Sequence, residues 1–191
     1  QYHEVKLNIN WSAALVKFNN GAALSATPEV WCNYIYLDTD ERRRFAQVSH
    51  EYLIEQVQED SATDDATEKS LNFNHPVKEL VISGVSSNAL ASPFSAGTTS
   101  VGLKLNGHER FAPRAPKYFT RTQVWQHHTG YGGVDATDAI AVYSFALKPE
   151  EHQPSGTCNF SRIDNAVSTA TFANTAKIYA VNYNVLRIMS G

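Results

Sequence analysis

Apolar and polar residues alternate with a period of two along much of this chain, which is typical of half-buried β-strands. Clear alternation covers 3–11, 101–105 and 179–185. Residues 30–37 are apolar on both faces, which predicts a strand that is covered on two sides, and residues 140–147 form another apolar, strand-like run. Many short strands and few helical segments favour an all-β fold, an antiparallel sandwich or barrel.

The segment from Ile140 to Asn165 contains two predicted strands and the turn between them. The first strand stops at Lys148-Pro149, and a polar connection closes with Pro154-Ser155-Gly156. In the second strand the alternation places Arg162 and Asp164 on one face, where they pair with each other or bond nearby backbone. These are the features of turns and strand pairing, which indicate a structural β protein.

Four other segments carry specific predictions. Residues 38–47 are charged and favour a helical turn with Asp38 as the N-cap and Glu41 in the capping-box position. Residues 51–58 fit either a helix or a strand, and the local pattern slightly favours a helix. Residues 71–82, interrupted by His75-Pro76, and 117–126 are predicted strands. In the last strand the apolar phase shifts near Val185-Leu186, which indicates a bulge or a change of burial.

The charge balance argues against a nucleic-acid surface. The net charge is −3 with a pI near 6.2, and the basic run Arg42-Arg43-Arg44 directly follows acidic residues. No apolar run reaches the roughly 18–20 residues that a bilayer span needs. Cys32 and Cys158 lie far apart inside apolar runs, so we expect buried free thiols in a reducing compartment.

The residues that could carry chemistry do not form a catalytic or metal-binding pattern. His127 and His128 are adjacent and would point to opposite faces of a strand. His108-Glu109 lacks the His-x-His pair of a cupin-type metal site, and Cys158 with His152 lacks an orienting third group. The acidic residues of 59–69 have neither the glycine nor the spacing of a calcium loop; they are Asp60, Asp64, Asp65 and Glu68.

We therefore predict no catalytic, cofactor-binding or metal-binding residue and no enzymatic activity. The two sequons, at Asn10 and Asn159, lie inside predicted strands, and we expect both to be unmodified. Trp125 lies near a glycine-rich loop and Tyr131 lies within it, and either could stack on sugars, so a carbohydrate-binding, lectin-like module is the alternative function. A cupin-type enzyme is the third hypothesis, and the absent His-x-His argues against it.

Seven segments distributed from end to end resemble the major capsid proteins of large icosahedral nucleocytoplasmic DNA viruses, particularly the algal-virus branch. They are QYHEVKL at 1–7, YIYLDTDERRRFAQ at 34–47, HEYLIEQVQ at 50–58, LNFNHPVKEL at 71–80, LKLNGHERF at 103–111, YSFALKPEEHQPSGTCNFSRIDNA at 143–166 and YAVNYNVLRIMSG at 179–191. The loops between them look unlike any one family member.

The resemblance implies a specific organisation. Residues 1–37 would be the last two strands of a first jelly roll, 38–47 a linker, and 48–191 a second jelly roll that lacks its very end. It also implies that 51–58 is a strand, against the local pattern. Because Gln1 is not methionine and opens within a strand pattern, we expect a fragment of a longer chain.

The resemblance implies a structural role in the virion. Subunits of this family form homotrimeric, pseudo-hexagonal capsomers that tile an icosahedral shell above an internal membrane. The implied partners are other copies of the chain, neighbouring capsomers and minor capsid proteins, with no direct contact to nucleic acid. Assembly would take place in the host cytoplasm, and no cofactor is implied.

Overall fold

A computed structural model describes residues 6–9, 29–61, 67–86, 89–130, 138–173 and 176–189. These residues divide between two compact units, one of residues 1–52 with 186–191 and one of residues 53–185. The described strands are β1 (His50–Ser61), β2 (Lys69–Ser70), β3 (Pro76–Ser83), β4 (Val85–Ser86), β5 (Ala89–Leu90), β6 (Gly102–Leu105), β7 (His108–Glu109), β8 (Ile140–Ser144), β9 (Cys158–Asn159), β10 (Ala166–Thr169) and β11 (Lys177–Ile188).

The larger unit contains most of the two main antiparallel sheets. One sheet has the order β1-β11-β3-β8, with β9 also paired to β3, and the other has the order β2-β10-β6-β7. The shared core draws side chains from both sheets and from the loops, including Val77, Leu103, Ala141, Phe172 and Ile178. This arrangement confirms the predicted all-β sandwich.

The smaller unit contains helix α1 (Thr39–Gln47), which confirms the predicted helical turn and extends it to nine residues. Asp38 is the N-cap, as predicted, and its carboxylate accepts a hydrogen bond from Thr39 N at 2.7 Å. The helix ends where Val48 N donates to Arg44 O and the backbone becomes extended. All of its residues lie at or near the surface.

The predicted strands at the N-terminal end are not observed in the described residues. Residues 6–9 and 29–38 form neither strand nor helix, and the rest of 1–28 lies outside the described residues. Trp31, Ile35 and Tyr36 are exposed, although the apolar pattern predicted a strand covered on both sides. The assignment of 1–37 to a first jelly roll therefore stays a prediction.

The prediction of a strand over 117–126 is wrong. Tyr118–Thr122 forms a π-helical turn, and helix α2 (Gln123–His127) continues it. The buried side chains of this segment are Phe119, Thr120 and Gln123, a spacing that fits one helix face rather than alternate faces of a strand. Aromatic and β-branched residues gave the segment a strand-like composition, and tertiary burial overrides that propensity.

Two other strands are shorter than predicted. The strand expected over 71–82 begins only at Pro76, because His75 adopts a left-handed backbone with φ of 67°. The strand expected to carry Arg162 and Asp164 ends after Asn159. Asn159 caps a 3₁₀ turn, Phe160–Arg162, by accepting a hydrogen bond from Ser161 N at 3.1 Å. The predicted shared strand face of Arg162 and Asp164 is therefore wrong.

The predicted tight turn at Asn106-Gly107 and the strand that the family resemblance implied for residues 51–58 are both observed. Asn106 and Gly107 both have positive φ, at 50° and 80°, as the hairpin between β6 and β7 requires. Asn106 Oδ1 also accepts from the backbone N–H groups of Asp164 and Asn165 at 2.9 and 3.1 Å. Residues 51–58 lie within β1, which confirms the strand implied by the family resemblance.

From Ile178 to Asn182, strand β11 buries the opposite residues from those that its apolar alternation suggested, whereas Tyr183 is buried as that alternation predicted. Ile178, Ala180 and Asn182 are buried, whereas Tyr179 and Val181 are half-buried. Asn182 is fully buried, and its Oδ1 is satisfied by a hydrogen bond that Gln58 Nε2 donates at 2.9 Å. Exposure rises from Val185 onward, which confirms the predicted change of burial there.

Phe172 provides a test of the core. Its ring is 1% exposed and lies 5.8 Å, centroid to centroid, from the ring of Phe94. We predict that Phe172→Ala lowers the free energy of unfolding by about 3–5 kcal/mol, because it removes buried contacts and leaves a cavity. The measurement is chemical denaturation, with Leu147→Ala as the exposed control. Equal effects of the two variants would contradict the assigned core.

Candidate functional site

A β-bulge in β3 creates the main polar site of the described structure. Val181 on β11 pairs with Glu79, but the next residue, Asn182, pairs with Val77, so Lys78 is an extra residue in β3. Val77 and Leu80 both belong to the hydrophobic core, although strict alternation would place them on opposite faces. The bulge resolves this conflict and leaves Lys78 and Glu79 adjacent, buried and outside the apolar cluster.

Lys78 is only 3% exposed and forms a short ion pair. Its Nζ lies 2.7 Å from Glu55 Oε1 on β1 and 5.4 Å from the ring centroid of Tyr183 on β11. The imidazole of His152 also approaches Glu55, with Nδ1 3.5 Å from the same carboxylate oxygen. Burial raises the pKa of the Tyr183 hydroxyl, and the Lys78 charge opposes that rise. The buried ammonium group of Lys78 therefore has a counter-charge in the carboxylate of Glu55.

Glu79 lies in a second group with His128 and Glu150, which we call the carboxylate–imidazole bridge. His128 Nε2 is 2.9 Å from Glu79 Oε2, and its Nδ1 is 3.1 Å from Glu150 Oε1. The backbone N–H of Thr129 donates to the same oxygen of Glu150 at 3.1 Å. These hydrogen bonds, foremost that from Thr129, hold the pKa of Glu150 below its usual value.

Three separate elements position the bridge. Glu79 comes from the bulged part of β3, and His128 is the C-cap residue of α2, where its N–H donates to Val124 O at 2.8 Å. Glu150 belongs to the connection that follows β8. The bridge therefore ties a central strand to the end of a helix and to a surface connection.

The adjacent histidines do not share a ligand. His127 Nδ1 lies 3.1 Å from the backbone oxygen of Leu147, whereas His128 contacts the two glutamates. His108 and Glu109 are exposed on the short strand β7. Among the described residues, no group of three or more His, Cys, Asp or Glu side chains is placed to hold a metal ion.

The acidic residues of 59–69 are used individually where they are described. Asp60 lies 3.5 Å from Lys69 Nζ, and Glu68 lies 3.0 Å from Lys104 Nζ. Asp64 and Asp65 lie outside the described residues. The Glu68–Lys104 pair is exposed, and pairs of this kind contribute little, about 0–1 kcal/mol each.

Cys158 and His152 do not meet in the described structure. Cys158 is on β9, paired with β3, while the His152 ring faces Glu55. Burial raises the pKa of the Cys158 thiol, which disfavours a nucleophilic thiolate. Cys158 and Cys32 are free thiols, but Cys32 is exposed, so the prediction that both are buried is wrong for Cys32.

The remaining sequence candidates are dispersed. Asn159 of one sequon uses its side-chain oxygen to cap the 3₁₀ turn, and Asn10 of the other lies outside the described residues. Trp125 is 78% exposed on α2, and Tyr131 lies outside the described residues. Sequence reasoning missed the bridge. The available signal was Lys78-Glu79, two adjacent charges inside an otherwise apolar strand.

A family model described as "Large eukaryotic DNA virus major capsid protein" matches residues 41–191. The chain belongs to this family of major capsid proteins. The major capsid protein of Pyramimonas orientalis virus is 50% identical over 214 aligned residues, covering 100% of this chain and 54% of the relative. That of Paramecium bursaria Chlorella virus 1 is 39% identical, covering 100% of this chain and 60% of the relative.

A solved structure confirms the fold class of this capsid-family chain. A quasi-atomic model of the PBCV-1 virus capsid superimposes with a TM-score of 0.67 at 37% identity, covering 83% of this chain and 54% of that chain. The jelly-roll class predicted for the sandwich is thereby confirmed. These relatives are capsid proteins and not enzymes. The chain spans a little over half the length of the curated relatives it matches.

The Lys78–Glu55 pair gives an asymmetric prediction. Glu55→Gln should lower the free energy of unfolding by about 3 kcal/mol, because it leaves the Lys78 charge buried without its carboxylate. Lys78→Met should be close to neutral, because it removes the buried charge and leaves Glu55, which is 34% exposed, accessible to water. Denaturant titration of both variants is the measurement. A larger loss for Lys78→Met would contradict this account.

The two thiols should differ in reactivity. We predict that iodoacetamide modifies Cys32 faster than Cys158 at neutral pH, since Cys32 is exposed and Cys158 is half-buried with a raised thiol pKa. Peptide mass spectrometry over a time course gives both rates, and labelling in denaturant supplies the control for intrinsic reactivity. Faster labelling of Cys158 in the folded protein would contradict the assigned burial.

Proposed function

We propose that this chain is the C-terminal portion of a structural subunit that builds the icosahedral shell of a large DNA virus. The observation that carries the proposal is the 50% identity to a viral major capsid protein across the whole chain. The antiparallel sandwich supports it, because stiff sheets suit a building block and the loops are free to vary. The carbohydrate-binding alternative has no support among the relatives.

We infer the same domain organisation that the family resemblance implies. Residues 1–37 are the end of a first jelly roll, 38–47 a linker and 48–191 a second jelly roll. Helix α1 occupies the linker, and the match to the family model begins at residue 41, within that helix. The exposed apolar side chains of 29–37 support a missing neighbour, since monomeric soluble proteins rarely expose such a run.

We propose a homotrimeric, pseudo-hexagonal capsomer as the assembled unit. Its partners are other copies of the chain, neighbouring capsomers and minor capsid proteins, without direct contact to nucleic acid. The shell forms in the host cytoplasm and lies next to an internal virion membrane. No helix in the described ranges combines the length and apolar character of a membrane span.

The direct test is electron microscopy and sedimentation of the full-length protein that contains this chain. We expect trimers with a pseudo-hexagonal outline, because obligate capsid contacts bury large apolar interfaces. A protein of related size that is not a capsid component provides the control for particle outline. A stable monomer at micromolar concentration, without higher assemblies, would contradict the capsomer proposal.

The 191-residue chain by itself should associate non-specifically. Trp31, Ile35 and Tyr36 are each more than four-fifths exposed, and such apolar surface drives association in water. Size-exclusion chromatography with light scattering is the measurement, and a chain starting at residue 38 is the matched control. We expect less aggregation from the shorter chain. A long-lived monomer of the complete 191-residue chain would contradict the proposed missing neighbour.

A further inference from the structure

The carboxylate–imidazole bridge has more hydrogen-bond acceptors than a neutral imidazole can satisfy. Each ring nitrogen of His128 faces a glutamate oxygen, Nε2 at 2.9 Å and Nδ1 at 3.1 Å. An ionised carboxylate only accepts hydrogen bonds, and a neutral imidazole carries a single N–H. Two ionised carboxylates and a neutral imidazole can therefore form only one of these two hydrogen bonds. Both form only if the three side chains together bind one additional proton.

We propose that Glu79, His128 and Glu150 form a proton-binding site in which His128 is held as an imidazolium between two carboxylates. Two N⁺–H···O⁻ bonds are stronger than the neutral hydrogen bonds that they replace. Glu79 is 7% exposed, so its negative charge needs a cation, and its carboxylate oxygen faces His128. Protonation of the His128 ring provides that cation.

Several other charged groups of the surrounding elements have ion-pair partners of their own. On β3 and β1, Lys78 pairs with Glu55, which His152 also approaches. In the connection after β8, Lys148 pairs with Glu151 at 3.0 Å. Ahead of α2, Arg121 pairs with Asp138 at 3.1 Å. His127, next to His128, contacts a backbone oxygen. In the described structure, His128 is thus the basic group facing Glu79 and Glu150.

The bridge makes the packing of three elements depend on pH. In the unfolded chain an imidazole is mostly neutral above about pH 6.5, so folding at about pH 7–8 takes up a proton at this site. The folded state then binds more protons than the unfolded state, and stability falls as the pH rises. At the acid end the lowered pKa of Glu150 acts in the opposite sense, because its stabilising contribution is lost as the carboxylate protonates.

Glu79→Gln separates this proposal from a merely structural role. The amide that this substitution introduces can donate to a neutral Nε2 while Nδ1–H donates to Glu150, so the same contacts form without the extra proton. Between about pH 6 and 8 we expect the unfolding constant of the wild type to rise more steeply with pH than that of Glu79→Gln. The difference should reach up to about tenfold per pH unit. The matched control is Glu151→Gln, which changes an exposed carboxylate of the same connection and should keep the wild-type slope.

A second measurement needs no variant. Exchange of the ring Cε1 proton, read for each histidine by mass spectrometry in the longest soluble form of the protein, reports the protonation of His128 directly. We expect His128 to stay protonated at a higher pH in the folded protein than in the same protein unfolded by denaturant. Equal slopes for wild type and Glu79→Gln, or loss of the His128 proton at the same pH in the folded and the unfolded protein, would overturn the proposal.

Discussion

The extra residue at Lys78 is the constraint on which the described polar architecture depends. Strand β3 lies between β11 and β8 in one sheet, so both of its edges are paired. With strict alternation, Val77 and Leu80 could not both reach the core. The bulge brings both apolar side chains inward and directs Lys78 and Glu79 to partners elsewhere. Two buried ionisable side chains follow from one inserted residue, and each contacts a partner from another element.

The partners of Lys78 and Glu79, and the second partner of His128, come from elements distant in sequence, which gives the loops fixed points of attachment. Glu55 is supplied by β1, His128 by the end of α2 and Glu150 by the connection after β8. Long connections on a sandwich are usually the least ordered parts of the fold. Here a contact from Glu79 links the end of α2 to a central strand, and Glu150 links the connection after β8 to the end of α2. A subunit of a viral shell, as we propose this chain to be, benefits from this, because its surfaces must keep one shape to pack against neighbours.

Membership of the capsid family and the exposed apolar residues of 29–37 point to the same physical problem. Exposure of those apolar side chains to water is unfavourable, and a covering surface would remove that cost. The relatives are longer, since the chain covers 54–60% of the two viral major capsid proteins compared above. A first jelly roll packed against this segment, as we propose, would remove that apolar surface from water.

The sequence by itself determined the β class, the Asn106-Gly107 hairpin, the Asp38 cap and, through long specific motifs, the family. These features rest on local backbone preferences or on direct residue matches, and neither requires knowledge of the packing. Local pattern failed at 117–126, at 159–164 and in the phase of β11, where burial against distant residues decided the conformation. Only the tertiary structure joined Glu79, His128 and Glu150. Their proximity depends on strand register and loop path, which no short-range pattern encodes.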